Sequence, residues 1–534
     1  MLLYTFRLGS ARTLTDHEAY WGGVDKQMAA TGDWLVPRLG HQLWLEKPPL
    51  HNWTALLTSI VTGRLDEATI RFPSALAGVV CVLLISWIAA RLFGRTVGFL
   101  SGLMYATSVF MIALARQAVV DTQLGLLILA AMALFLELHF CGGLERRGGR
   151  LKVFAFWLLI GLMNLAKGPL FGAVLTLLTC GGWLAICGDW RRLRQFVSPA
   201  GMLAATILAI AWPLAVGWQY PEAWTVLKDH TLGRFNGDKG MEFNQRPFWY
   251  YAPSVLWQWL PWTPQILLGC GESFRQIRRE SSSAHGFIWG WFGSQFLLLS
   301  CGAGKGHPYV LHALPALAPV AALGILRTGR WIAAGSRSMT RSGWSIALLA
   351  PLGVLGVAIA RERLLPLPSI ELIPAAVLLG SLALMVAILL LKRRPVAVLA
   401  SLLGFISIAE LYTVGWVMHH RDPSLADREF LREVDRIVAK DDLLLGTDPI
   451  GVARYIFYID HPLEGYFVPT SVPAPQREAY IVARAYQSDQ LGHLGTLELV
   501  AQSRHTRKEA GPHDRYTLFR ILPKTARAEP DTRR

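Results

Sequence analysis

Apolar residues fall into blocks along most of this chain, each about as long as a helix that crosses a bilayer. The blocks run approximately 74–93, 97–115, 122–140, 153–166, 168–186, 200–218, 252–271, 286–301, 309–327, 344–360, 371–391 and 397–418. Residues 48–62 are apolar but short and read as a re-entrant or interfacial helix; 153–166 is also short. Ahead of them lies a charged stretch, Leu14 to Pro49, punctuated by Gly and Pro. Beyond His419-His420 the pattern becomes polar. There Leu431 to Val438 predicts an amphipathic helix, while Asp442–Gly446, Tyr480–Ala483 and Tyr516–Leu522 predict strands. The pattern predicts an α-helical polytopic membrane protein of about 12 transmembrane helices with a small C-terminal α/β domain. Its expected parts are an extracytoplasmic loop region 1–73 with re-entrant or interfacial helices, a multi-spanning region 74–418, a soluble extracytoplasmic α/β domain 419–523 and a disordered tail 524–534.

Composition agrees: 53% of the residues are hydrophobic and only 17% charged, unlike a soluble chain of this length. The net charge of +15 is mostly a matter of topology. Arg91 and Arg95, Arg146 to Lys152, Arg191 to Arg194, Arg275 to Arg279, Arg327 to Arg341, and Lys392 to Arg394 occupy every second loop. Basic loops face the cytoplasm. The remaining loops and the C-terminal domain are then extracytoplasmic in an inner or plasma membrane. No basic–aromatic surface points to nucleic acid. Six scattered cysteines give neither metal-ligand spacing nor a disulfide framework. The N-terminal loop would have to lie outside with no helix to carry it there, so a first transmembrane helix is expected upstream of residue 1.

Charged residues at the outer ends of the blocks are the candidate chemistry. Asp16 and Glu18 could supply a general base, or could simply cap a juxtamembrane helix. Asp121 opens an apolar block, where a carboxylate is costly unless paired or functional. Glu46-Lys47 precedes a rigid Pro48-Pro49, and Lys167 and Lys305 stand at the ends of other blocks. Together the lysines suit a phosphate, although a snorkelling lysine reads equally well. Arg116, Arg234, His307 and Tyr309 complete the set; His307 reads as an acid–base or hydrogen-bonding group before a metal ligand.

In order, these residues resemble a known signature. It comprises Asp16-His17-Glu18, Gly32-Asp33-Trp34-Leu35-Val36-Pro37, Glu46-Lys47-Pro48-Pro49, Arg71-Phe72-Pro73, Ala115-Arg116 with Asp121, Lys167-Gly168-Pro169, Arg234-Phe235, Pro247 to Tyr251, Leu260-Pro261-Trp262 and Lys305-Gly306-His307-Pro308-Tyr309. The string is similar to that of the aminoarabinose-transferase and protein O-mannosyltransferase superfamily of GT-C-type integral membrane glycosyltransferases, over roughly residues 14–327. The resemblance implies inverting transfer of a sugar from a polyprenyl-phosphate donor to a lipid, protein or glycan acceptor on the extracytoplasmic face.

By the same resemblance Asp16 or Glu18 would be the base and Asp121 a second acid. Lys47, Lys167, Arg234 and Lys305 would bind the donor phosphate, and Glu46, Arg116, His307 and Tyr309 the substrates. The family's first motif reads Asp-Glu; here, counting back from Gly32, His17 takes the place of the Asp and Glu18 that of the Glu. Asp16 is preferred as base on a loop shifted by one residue. No cofactor is required by this chemistry, and paired acids could hold a divalent metal. A lipid-linked-sugar transporter or flippase, which would place ionisable groups at mid-span, and an inactive member of the fold are the alternatives.

Overall fold

The computed structural model describes the chain except residues 146, 169, 229–244, 281–282, 303, 339, 347–368, 421, 423, 449–450, 505–514 and 524–534, with only the backbone of 369–376. Arg234, most of the expected block 344–360 and the tail 524–534 therefore lie outside the described residues. The rest is an integral membrane helix bundle carrying a mixed α/β domain at one end.

Among the described residues five helices are long and apolar enough to span a bilayer: Glu67–Phe93, Asp121–His139, Gly149–Lys167, Pro199–Gln219 and Pro395–His420. Two shorter apolar helices are Phe171–Ile186 and Val377–Leu391. The short block 153–166 belongs to a 19-residue helix, Gly149–Lys167. Other expected spans are interrupted. Block 97–115 is two helices, Arg95–Ala106 and Val109–Ala115, bent by 63°. Block 252–271 is broken between Tyr251–Gln258 and Thr263–Arg279 at Pro261, which has no N–H to continue a helix. The two breaks brace each other: Val109 N donates to the Leu260 carbonyl at 3.0 Å, and Trp262 Nε1 donates to Thr107 Oγ1 at 3.0 Å. Block 309–327 starts as 3₁₀ turns, His307–His312 and Leu314–Leu317, before the helix Ala318–Ala333.

The charged stretch Leu14 to Pro49, expected as a loop, is helical over Asp16–Thr31. A capping box opens the helix Asp16–Thr31: Thr15 Oγ1 accepts from Glu18 N, and Glu18 accepts from Thr15 N. Gly32, at φ +71°, closes it in the left-handed conformation that glycine tolerates. A small hairpin, Arg38–Leu39 with Gln42–Leu43, and a helix Leu50–Thr62 follow. The first long helix then begins at Glu67, capped by Asp66 and well before the apolar run at 74. Its polar first turns were hidden from a hydropathy reading.

The C-terminal domain is a five-stranded sheet. Its spatial order is Leu463–Tyr466, Leu443–Thr447, Ala479–Arg484, Tyr516–Leu522, Thr496–Gln502. The first three strands are parallel and the last two pair antiparallel. The helices Leu425–Ile437 and Val452–Tyr458 cover a face whose core includes Phe430, Leu431, Val434, Tyr455 and Leu518. That core is continuous with Ala19, Val24 and Met28 of the N-terminal helix.

Two glycines set the closest helix crossing. A Cβ on Gly269 would lie 1.9 Å from the Val320 carbonyl oxygen, and one on Gly324 would lie 1.9 Å from that of Gln265. Backbone meets backbone here, so neither helix can yield through a rotamer. We expect Gly269→Ala and Gly324→Ala each to cost about 1–3 kcal/mol, read as a lower unfolding temperature in detergent. Gly293→Ala, also within a helix but where a Cβ meets nothing within 4 Å, should not lower it.

Candidate active site

Three consecutive residues at the head of the helix Asp16–Thr31 face three different surroundings, because successive helical residues are about 100° apart. Glu18 points into the protein and is fully buried. Arg71, itself 1% exposed, donates to it through Nε at 2.7 Å and Nη2 at 3.3 Å. Arg12 joins at 2.9 Å, and the N–H of Ala118 donates at 3.0 Å. The remaining Arg71 protons go to the carbonyls of Leu8, Arg12 and Thr13. Burial alone would raise the Glu18 pKa; the two guanidiniums more than offset this and hold it at about 2. Glu18 thus caps its helix and anchors Arg71 and Arg12.

Asp16 turns the other way. Its carboxylate is half-exposed and pairs with Arg454 of the C-terminal domain at 2.9 Å. Arg454 also donates to the Leu14 carbonyl at 3.0 Å and to Ser424 Oγ at 3.2 Å. Further ties hold the same segment: Tyr458 Oη accepts from Leu14 N, and Asp422 accepts from Thr13.

His17, between them, is solvent-accessible. Its enclosure by protein lowers its pKa, opposed by Asp121 and Glu46 and assisted by Lys47 and Lys167. Those four groups are the charged neighbours that sequence reasoning grouped together. Asp121, at the head of its helix, forms a short ion pair with Lys167 at the end of another, both side chains less than 10% exposed. The Lys167 ammonium lies 4.2 Å from the ring centre of Tyr309 and 5.1 Å from that of Phe171. Lys47 pairs with Glu46 at 3.7 Å. Two buried histidines back the group. His51 Nδ1 faces Gln123 Nε2 at 3.1 Å, and its ring packs edge-on against Trp21. Burial keeps it neutral, with a pKa near 3. His312 packs on Phe171, and neither ring nitrogen has a hydrogen-bond partner among the described residues.

The other candidates lie apart from this cluster or in supporting positions. Arg116 donates to the carbonyls of Leu3 and Phe6, at 2.9 and 2.7 Å, and so pins the N-terminus. Lys305 is buried and donates to the carbonyls of Arg246 and Gly302. His307 Nε2 meets Tyr250 Oη at 2.9 Å, and its carbonyl accepts from Gln258. Among the described residues no three of His, Cys, Asp and Glu gather as a metal site. Sequence reasoning passed over Arg71, His51 and His312 as site residues, and noted His17 only as standing in the place of the family's Asp. Arg71 carried a signal as part of the Arg71-Phe72-Pro73 motif.

A paired acid and base lie buried at the ends of two spanning helices, and the bundle that holds them has a fold seen in solved structures. The crystal structure of ArnT from Cupriavidus metallidurans bound to undecaprenyl phosphate has that fold. It superposes with a TM-score of 0.75 over 98% of both chains, at 19% identity. An Archaeoglobus fulgidus oligosaccharyltransferase tethered with an acceptor peptide matches at 0.52, covering 89% of this chain and 66% of that one at 12% identity. In sequence, the family described as dolichyl-phosphate-mannose-protein mannosyltransferase matches residues 46–217. The undecaprenyl phosphate-alpha-4-amino-4-deoxy-L-arabinose arabinosyl transferase of Enterobacter sp. (strain 638) is 26% identical over 347 residues, 64% of this chain and 60% of that protein. Its counterpart in Edwardsiella ictaluri is 30% identical over 312 residues, 57% of this chain and 54% of that one. The chain thus spans between about half and two thirds of the curated relatives it matches. The resemblance read from its motifs holds.

Removing one partner of a buried ion pair leaves a bare charge. We expect Glu18→Gln to destabilise the protein by about 3–5 kcal/mol, and Glu18→Gln with Arg71→Met to cost less than the two single changes summed. Because folding depresses the Glu18 pKa, its contribution is present above pH 4.5 and is lost as pH falls through about 2. Unfolding titrations in detergent should show that loss in the wild type and not in Glu18→Gln.

Proposed function

We propose that this protein is a membrane glycosyltransferase. It moves a sugar from a polyprenyl-phosphate donor to a lipid, protein or glycan acceptor, with inversion, on the extracytoplasmic face. The observation that carries this reading is the Asp121–Lys167 pair, with Tyr309, Glu46, Lys47 and His17 around it. A phosphate leaving group needs no strong acid, only cations that stabilise its developing charge. Lys167 and Lys47 supply them, and Asp121 holds Lys167 in place and faces the sugar. Lys305 and Arg116 act indirectly, by fixing the backbone of neighbouring segments. The undecaprenyl phosphate bound to the Cupriavidus metallidurans structure supports the donor class.

The helix Asp121–His139 supports this sidedness. Asp121 stands at the site, while at the far end Glu137 meets Arg91 and Lys152, and Arg192 meets His139. Nineteen residues rise about 28 Å, roughly the hydrocarbon thickness. With the basic end in the cytoplasm, the site opens outside. These charges stand at the two ends of the helix Asp121–His139 rather than at its middle, which favours transfer over transport.

Membranes containing the protein should discharge a radiolabelled undecaprenyl-phosphate sugar. Asp121→Asn should lower that rate at least about 100-fold, and EDTA should leave it unchanged. Movement of donor across the bilayer without discharge would point to a flippase instead.

A further inference from the structure

We propose that Asp25 and Asn52 form a neutral acid–amide pair that positions the Lys47 segment relative to Asp121. Asp25 is here a positioning residue, and its effect on phosphate binding rests on the transferase reading above. Both side chains are fully buried. Asn52 Nδ2 donates to Asp25 Oδ1 at 2.7 Å and so ties the helix Leu50–Thr62 to the helix Asp16–Thr31. Among the described residues the two remaining atoms, Asp25 Oδ2 and Asn52 Oδ1, have no hydrogen-bond partner. Both are acceptors only, as long as Asp25 is ionised. A proton on Oδ2, donated to Asn52 Oδ1, closes a two-bond ring and pairs both atoms at once.

No cation takes the place of that proton. Among the described residues the titratable groups of the elements packed on this helix are engaged elsewhere: Arg71 with Glu18, Glu67 with Arg428, Arg454 with Asp16, Tyr455 with Asp448, and Tyr458 with the Leu14 N–H. Arg38 lies over the Tyr220 ring, His51 faces Gln123, and Lys26 on the same helix pairs with Asp460. A buried carboxylate without a cation is costly. Burial accordingly pushes the Asp25 carboxyl well above its ordinary value of 3.8.

The place of the pair gives it a consequence. Trp21, one turn before Asp25 on the same face, packs edge-on against Trp44 and His51, with ring centres 4.9 and 4.8 Å away. Gln123, two residues beyond Asp121, meets His51 Nδ1 and Thr54 Oγ1, each at 3.1 Å. Residues 44–54 are thus held between the helix Asp16–Thr31 on one side and the helix Asp121–His139 on the other. Lys47 stands inside that stretch. Pro48 and Pro49, with φ fixed by their rings, couple it to the helix that carries Asn52. Aromatic packing holds the first side together; the Asp25–Asn52 pair gives it a direction, which apolar contact does not supply.

The test uses the full chain, in membranes for discharge of a radiolabelled undecaprenyl-phosphate sugar and purified in detergent for undecaprenyl phosphate binding and unfolding. Asp25→Asn keeps both bonds, since its amide donates where the carboxyl proton did, and should leave discharge and binding unchanged. Folding holds a proton on Asp25, so its contribution to stability is full below pH 3.8 and is lost as pH rises toward the raised folded value. Between pH 5 and 7 the folding equilibrium of the wild type should therefore fall by about tenfold per pH unit relative to Asp25→Asn. Asp25→Leu with Asn52→Leu leaves no polar atom unpaired and should fold, yet weaken undecaprenyl phosphate binding and slow discharge by about tenfold or more. The exchanged pair, Asp25→Asn with Asn52→Asp, should behave as the wild type. A loss of discharge in Asp25→Asn would show that the carboxylate itself is used and would overturn the inference. So would a stability difference that does not change with pH, or wild-type binding and discharge in the protein with both leucine substitutions. If that protein does not fold, the pH series and the exchanged pair decide. If the wild type discharges no donor, the transferase reading falls, while the pH series and the binding of undecaprenyl phosphate still test the pair.

Discussion

The buried pairing of Arg71 with Glu18 organises the rest of the molecule. Five bonds leave one guanidinium, two to Glu18 and three to carbonyls of residues 8–13. Glu18 in turn reaches Arg12, the capping residue Thr15 and the backbone of Ala118. One carboxylate and one guanidinium thereby join the N-terminal segment, the helix Asp16–Thr31, the first long spanning helix and the turn that leads to Asp121. A buried ion pair of this kind is weak evidence for stability gained over an apolar core. Its consequence here is geometric: it fixes which side of the helix Asp16–Thr31 faces Asp121.

From that orientation the charge pattern of the site follows. Asp121 with Lys167 and Glu46 with Lys47 are each close to neutral as pairs, so the site is stable without substrate. Under the proposed transferase reading, a donor phosphate competes with the carboxylates for the ammonium groups. Tyr309 and Phe171 place ring faces against Lys167 and keep its position as that competition proceeds. The C-terminal domain acts on the same region from above, through Arg454 on Asp16 and Leu14, and through Lys26, which donates to the Phe457 and Ile459 carbonyls. Its core is shared with the helix it grips. The domain is in this sense a wall of the site rather than an appendage.

Much of this was legible in the chain. Blocks of apolar residues gave the bundle, alternating basic loops gave an expected sidedness, and period-two stretches gave the strands Ala479–Arg484 and Tyr516–Leu522 of the distal domain. Carboxylates and lysines at block ends gave Asp121, Lys167 and Glu46-Lys47. Less legible were the breaks. The interruptions near Thr107 and Pro261 look like continuous apolar spans because hydropathy does not register where the backbone changes direction. The helical nature of residues 16–31 was masked by charge, since its apolar contacts lie partly with a domain more than 400 residues away in sequence.

The sequence by itself determined that this is a membrane bundle with ionisable groups at the ends of its spans, because insertion into lipid depends on local composition and the energetic penalty of charge there is large. It could not assign roles within Asp16-His17-Glu18. Three neighbours on a helix differ only in direction, and direction acquires meaning from what stands opposite: Arg454 for Asp16, Arg71 for Glu18, and Asp121 with the two lysines for His17. Those partners come from five separate stretches of chain, and only the tertiary structure brings them together.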